Sequence, residues 1–310
     1  MVRALTQDFA AIPGTTVSGL RDARLPPLDL GPREERLVHS AESERELFAA
    51  LAKECDRTLV IAPELDGIIN ERHAWIAPLT PKLLSPAGEF LKIASSKRAT
   101  AERLARHKVP APRAAQEEYE FPLVLKRDDG AGSLGMRLIR APDELPRSLG
   151  TNCRLESYCR GMATSVAVLC GSEGSVPLQA CEQILQPETF EYLGGRTPIP
   201  SPLAWRAQSL ALAAIGAMPP TIGYVGVDLV LGGKDDGTED VVIEINPRLT
   251  TSYVGLRLAC RQNLAQAMLD VARGSAVDLC FGGERVEFRA DGRVTAVTQD
   301  CQAGSAGRTY

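Results

Sequence analysis

The chain has 310 residues, 44% of them hydrophobic and 24% charged, with a formal net charge of −4. That is the composition of an ordinary globular protein, long enough for two or three subdomains. The acidic balance argues against a general nucleic-acid binder, and no apolar run approaches the ~18 residues of a membrane span.

The first ten residues, Met1 to Ala10, read as a helix that carries an acid and lacks a secretory apolar region. An α/β unit usually opens on a strand, so this start points to a mis-set start or a truncated first strand. Eight cysteines (55, 153, 159, 170, 181, 260, 280, 301) form no CxxC pair. Without a secretion signal they read as free thiols of a reducing cytoplasm. His39, His73 and His107 have no second ligand at zinc spacing, so no zinc site is expected.

Residues 1–85 read as a mixed α/β subdomain with a parallel sheet. Leu47, Phe48, Leu51 and Ala52 lie at helical spacing, and 57–62 is a short buried strand. Pro63 and Glu64 open a helix running to Ala74. Residues 86–160 form a second unit. A helix over 97–108 stops at Val109-Pro-Ala-Pro112, and a strand over 121–126 follows. Asp128 to Gly135 is a glycine-rich loop, and 136–139 resumes as a strand. The loop joins two strands and opens no helix, which excludes the dinucleotide fingerprint and the Walker loop. An ordinary hairpin turn and a flexible cover over a nucleotide both stay open. A strand over 154–159 closes the unit.

Residues 161–310 form the third unit. Antiparallel strands are expected over 163–170 and 176–184, a helix over 203–217, a strand over 223–231, and a second strand that starts at Val241 and carries Glu244 and Asn246. A helix over 258–273 and a hairpin (285–288, 293–297) with a disordered end complete the chain. On the two central strands Asp228, Glu244 and Asn246 interrupt apolar runs. Glu244 and Asn246 are two apart and so share a face. With Asp228 they offer oxygen ligands suited to Mg²⁺. Arg248 follows after a proline, within reach of an anion at such a metal. Lys126 brings a point charge to the mouth of the glycine loop, whose backbone N–H groups can approach phosphate closely.

The runs Leu125-Lys-Arg-Asp-Asp-Gly-Ala-Gly-Ser133, Leu155-Glu-Ser-Tyr158, Gly226-Val-Asp-Leu229 and Val242-Ile-Glu-Ile-Asn-Pro-Arg248 resemble the ATP-grasp superfamily of carboxylate–amine ligases. The resemblance spans roughly residues 57–273. Val60-Ile-Ala-Pro-Glu-Leu-Asp-Gly67 and Asn246-Pro-Arg-Leu-Thr-Thr-Ser-Tyr-Val-Gly255 are similar to its tyramine–glutamate ligase group, which makes an early amide in methanofuran biosynthesis. It implies an ATP-grasp fold of class α/β (α+β), in which a short amino-terminal subdomain precedes two α+β subdomains that clamp ATP.

It also implies the chemistry. ATP, with Mg²⁺ or Mn²⁺, would phosphorylate a carboxylate, and an amine would attack the acyl phosphate to give an amide, ADP and phosphate. Lys97 and Lys126 would contact the phosphates. Gly130, Ala131, Gly132 and Ser133 would cover them, and Glu156 and Tyr158 would flank the adenine hinge. Asp228, Glu244 and Asn246 would hold metal, Arg248 would face the transferring group, and Thr250, Thr251 and Ser252 would border the acceptor. The partners are then small-molecule carboxylates and amines, with neither nucleic acid nor membrane, and a homodimer is allowed.

Three departures stand out. Arg127 follows Lys126 where the family often has proline. Ser96 stands where an acid often precedes the first lysine. The expected first strand and glycine-rich turn are missing ahead of Met1. Other readings therefore stay open: another amino acid and amine pair, a nucleotide-binding protein without ligase activity, or a small-molecule kinase. Thr250 to Ser252 could instead cap the next segment. Glu156 could face solvent on an edge strand, and His73 and Tyr192 read as surface or packing residues, not substrate ligands.

Overall fold

The computed structural model describes residues 1–30, 34–115, 120–130, 132–150 and 152–298. Helix α1 (Val2–Ala10) precedes two short parallel strands, β1 (Gly19–Asp22) and β2 (Glu35–Val38), which the sequence pattern did not reveal. Ser40 and Ser43 form a reciprocal capping box that starts helix α2 (Ala41–Glu54). The strand expected over 57–62 reduces to one parallel bridge, Thr58 with Leu83. Val60 is buried there against Ala52, Ile76 and Leu83. Pro63 and Pro81 flank the pairing and cannot donate to a longer ladder. The helix expected from Pro63 starts later, as α3 (Ile68–Trp75), after a tight turn in which Asp66 (φ 53°) and Gly67 (φ 73°) are left-handed.

Helices α4 (Gly88–Ala94) and α5 (Lys97–Arg106) lead into β3 (Leu123–Arg127), β4 (Arg137–Ile139) and β5 (Cys153–Ser157). These strands form an antiparallel sheet in the order β4-β3-β5, on a core of Leu123, Ile139 and Leu155. The glycine-rich loop is thus the tip of a hairpin, as its strand-to-strand setting required.

The rest of the chain builds one large sheet. It runs through β6 (Met162–Gly171), β7 (Gly174–Pro177), β8 (Cys181–Leu185), β9 (Tyr192–Thr197), helix α6 (Ser201–Ala217), β10 (Gly223–Leu231) and β11 (Val241–Asn246). Helices α7 (Tyr253–Ala259) and α8 (Leu264–Ala272) and the hairpin β12 (Arg285–Arg289), β13 (Val294–Thr298) follow. The order is β11-β10-β6-β8-β9-β12-β13, with β7 also on β6. The single strand expected over 176–184 is two: Pro177 lacks an N–H, and the buried stretch Leu178 to Ala180 carries the chain to a new register on β6. The helix expected over 258–273 is also two, because Asn263 caps α8 with its side chain and Cys260 bridges to Phe281. The expected disordered end lies outside the described residues. Among those residues no helix is long and apolar enough to cross a membrane.

Both faces of the sheet are packed, but only one completely. Val225, Val227, Leu229 and Leu231 of β10 meet Ala207, Ala211 and Ala214 of α6, with Phe90 and Leu104 behind. The alanines recur at i, i+4 and i+7, so a smooth stripe faces the strands. On the opposite face Tyr224 and Leu169 pack against Leu256, Met268 and Leu5. Asp8 ties α1 there, accepting from Arg257 Nη2 (2.5 Å) and the Tyr253 hydroxyl (2.6 Å). Beyond this second core the face is left open towards the small sheet, and that opening is the cleft described below.

His73, expected as a surface or packing residue, is buried, and neither ring nitrogen has a hydrogen-bond partner. Burial pushes its pKa down to about 4, against about 6.5 in an unfolded chain. The unfolded state then binds a proton over that interval while the native state does not. Its contribution to stability is full above about pH 6.5 and is lost as pH falls towards 4. We expect His73→Leu to flatten the dependence of Tm on pH between 6.5 and 4.5. An unchanged dependence would mean that His73 does not drive it.

Candidate active site

The cleft has a volume of about 520 Å³ and is walled by the hairpin β3–β4, the end of β5, and the open face of β6, β10 and β11. Pairing of β10 with β11 sets Asp228 opposite Glu244 and Gly226 opposite Asn246, so all three polar side chains leave one face. Gly226 is needed for the geometry: a Cβ there would lie 2.4 Å from Thr250 Cγ2. The Asn246 amide donates to Asp228 Oδ2 (3.0 Å) and the Gln183 amide to Asp228 Oδ1 (2.9 Å). Burial, reinforced by Glu244, pushes the Asp228 carboxyl well above the usual carboxylate range. Burial acts on Glu244 in the same direction, but Lys97, aided by Lys126, outweighs it and holds Glu244 down.

Lys97 Nζ stands 2.9 Å from Glu244 Oε2 and donates to the Gly130 carbonyl at 2.5 Å. Burial would lower this ammonium, and Glu244 more than offsets it. The helix carrying Lys97 starts at Ser96, whose hydroxyl accepts from Ala99 N and donates to Asp128 Oδ2 at 2.6 Å. The missing acid at 96 is therefore replaced by a cap shared with the hairpin.

Lys126 is only 2% exposed and pairs with Glu156. The other Glu156 oxygen lies 2.9 Å from Arg154 Nη2 in a second ion pair. Glu156 is thus no solvent-facing edge residue; its carboxylate orients Lys126, while Tyr158 lines the cleft with its ring 6.1 Å from Phe190.

Gly130, Gly132 and Ser133 line the cleft, and Ala131 lies outside the described residues. Gly132 and Ser133 are both left-handed (φ 63° and 62°), which bends the hairpin tip, and the Ser133 hydroxyl donates to the Phe190 carbonyl at 2.7 Å.

Arg248 also lines the cleft, and its Nε donates to both oxygens of Glu64, at 2.9 and 3.1 Å. Thr250, Thr251 and Ser252 line the same end. Thr250 and Ser252 hydroxyls are 2.9 Å apart and both approach the buried Tyr224 hydroxyl, and Ser252 makes no side-chain cap to α7. Tyr192, expected as a surface or packing residue, borders the cleft.

Sequence reasoning missed Glu64, Gln183 and Tyr224. Glu64 carried a weak signal, an acid between a proline and a glycine after an apolar run. Gln183 and Tyr224 carried none, since each sits in a strand with ordinary alternation.

The donor set fits a hard divalent cation. Two carboxylates sit side by side at a strand pair with one amide oxygen between them and Arg248, and burial disfavours ionising both without a further positive charge. Among the described residues no group of three His, Cys, Asp or Glu side chains converges, so the set is limited to these oxygens.

A family model described as an ATP-grasp domain matches residues 94–252, and one described as a pre ATP-grasp 3 domain matches 15–89. The tyramine–L-glutamate ligase of Methanocaldococcus jannaschii is 28% identical over 248 residues, covering 79% of this chain and 72% of its own. Among solved structures, a carboxyaminoimidazole ribonucleotide synthase from Aspergillus clavatus, complexed with ATP, superposes with a TM-score of 0.72 at 18% identity, over 92% of this chain and 78% of its own. An L-amino acid ligase from Bacillus licheniformis gives 0.71 at 14% identity, over 92% and 76%. At these identities the two structures speak for the fold alone.

Proposed function

Because the chain belongs to the ATP-grasp family, we propose that it is an ATP-dependent, ADP-forming carboxylate–amine ligase. The observation that carries this reading is the facing of Lys97 and Lys126 by Asp228, Glu244, Asn246 and Arg248 across one cleft. Likeness to the tyramine–L-glutamate ligase supports L-glutamate and an aromatic amine such as tyramine as the pair joined.

In this reading Lys126 and Lys97 neutralise the phosphates, and the hairpin tip folds over them and excludes water. Backbone groups after Glu156 meet the adenine edge, and Tyr158 flanks it. Asp228, Glu244 and Asn246 would hold Mg²⁺, which would supply charge neutralisation for the phosphates. A carboxylate oxygen of the acid substrate displaces ADP from the γ-phosphorus. The amine nitrogen then displaces phosphate from the acyl carbon and releases a proton. Negative charge gathers at the transferring group in both steps. Arg248 faces it with its two terminal nitrogens, whose present contacts, Leu249 O and Asn246 Oδ1, are both at a long 3.4 Å. Thr250 and Ser252 offer hydroxyls at the acceptor end.

Incubation with Mg-ATP and a panel of amino acid and amine pairs tests the substrates. Glutamate with tyramine is expected to give ADP and the amide. ADP release with another pair only would replace the substrates and leave the ligase reading standing.

A further inference from the structure

The turn Pro63–Gly67 carries two acidic side chains that the chemistry above leaves unused. Glu64 reaches across 184 residues of sequence to take Arg248 Nε with both oxygens. Its side chain is 7% exposed and that of Arg248 18%, so the pair is shielded from water. Two residues on, the turn grips the glycine hairpin. The Asp66 N–H donates to Asp129 Oδ2 (3.0 Å), and Asp66 Oδ1 accepts from Arg127 Nη2 (2.9 Å). Arg127 Nε also donates to Asp129 Oδ1 at 3.1 Å, which closes a three-member cluster. Arg127 is the residue that departs from the family's lysine–proline pattern, and Asp66 gives it a partner. The left-handed backbone at Asp66 and Gly67 then turns the chain from the second contact into α3.

We propose that this turn is a two-armed positioning element: Glu64 orients Arg248, and Asp66 ties the glycine hairpin to the same five residues. Closing the hairpin and presenting Arg248 then occur together. The two arms differ in strength, as this role requires. A shielded carboxylate on Nε fixes the plane of the guanidinium and leaves the terminal nitrogens free to face the cleft. The Asp66–Arg127 arm is exposed, at 67% and 32%, and such pairs hold weakly. A weak arm suits a hairpin that must open to release ADP.

The kinetic arm of the test rests on the ligase reading; the spectroscopic arm does not. Glu64→Ala is expected to lower kcat by about 100-fold, with KM for ATP within about twofold. Glu64→Asp should recover part of the loss, and Glu64→Ala should cost nothing more in an Arg248→Ala background. If the alanine variant does not fold, Glu64→Gln replaces it. In NMR spectra the Arg248 Nε–H signal, assigned by its loss in Arg248→Lys, should exchange slowly in the native protein and fast in Glu64→Ala. In Asp66→Ala its exchange should quicken together with tryptic cleavage of the hairpin. An unaltered Nε–H signal in Glu64→Ala would overturn the orienting role. Faster hairpin cleavage in Asp66→Ala with unaltered Nε–H exchange would overturn the coupling. Absence of ADP release by the native protein with every substrate pair would remove the ligase reading and leave these two spectral outcomes to decide.

Discussion

Arg248→Ala is expected to lower kcat by about 10²–10³-fold, the usual cost of removing one preorganised group that faces transition-state charge. KM for ATP should change little, because the phosphates keep Lys97 and Lys126. The substitution also strands Glu64, whose carboxylate is 7% exposed. Breaking a buried pair from one side costs about 3–5 kcal/mol at most, so a fall in Tm should accompany the loss of rate. Arg248→Lys separates the two effects. It restores a positive charge beside Glu64 but not the planar fork, and should recover Tm far more than kcat. Stopped assays of ADP release with parallel thermal melts check both. Full recovery of kcat in the lysine variant would show that charge alone suffices and that the fork geometry has no role.

Glu244→Ala should have an effect at least as large. The residue pairs with Asp228 across the strands and holds Lys97 at 2.9 Å. Its loss removes one of two carboxylates from the proposed metal set and frees Lys97 from its counter-charge. Metal stabilisation of phosphoryl transfer is worth several kcal/mol, so turnover should fall by about 10³-fold or more, and the Mg²⁺ concentration for half-maximal rate should rise. The Asp228 carboxyl should also drop from its raised pKa, since Glu244 is the strongest influence on it after burial. A Mg²⁺ titration of ADP release in the native and variant proteins measures this directly. If turnover survived the change, the metal assignment would be wrong.

How much of this was legible in the sequence depends on the range of each interaction. Strand 223–231 matches its expected boundaries, and the next strand begins at Val241 as expected, because apolar runs buried on a sheet declare themselves locally. The polar residues that break those runs marked Asp228, Glu244 and Asn246, and the register of the strands brings them together. Elsewhere local signals misled. Gly194 and Gly195 hid β9; a Cβ at Gly194 would lie 2.1 Å from the Phe288 carbonyl oxygen, so the position serves a neighbouring strand. The break at Asn263 was masked by helix-forming residues on both sides. Glu156, implied as a flank of the adenine hinge, also pairs with Lys126 and Arg154, which no local signal showed. The weak local signal at Glu64 could not reveal its pairing with Arg248, because the partner lies 184 residues away and only the fold joins them.

The central claim is that one carboxylate oxygen of the acid substrate passes through a phosphate. The acid labelled with ¹⁸O in its reacting carboxylate should be incubated with Mg-ATP and the amine, and the inorganic phosphate analysed by mass. The account predicts ADP, amide and phosphate in equal amounts, with one ¹⁸O in each phosphate. Unlabelled phosphate, or a product that keeps the phosphoryl group, would contradict it.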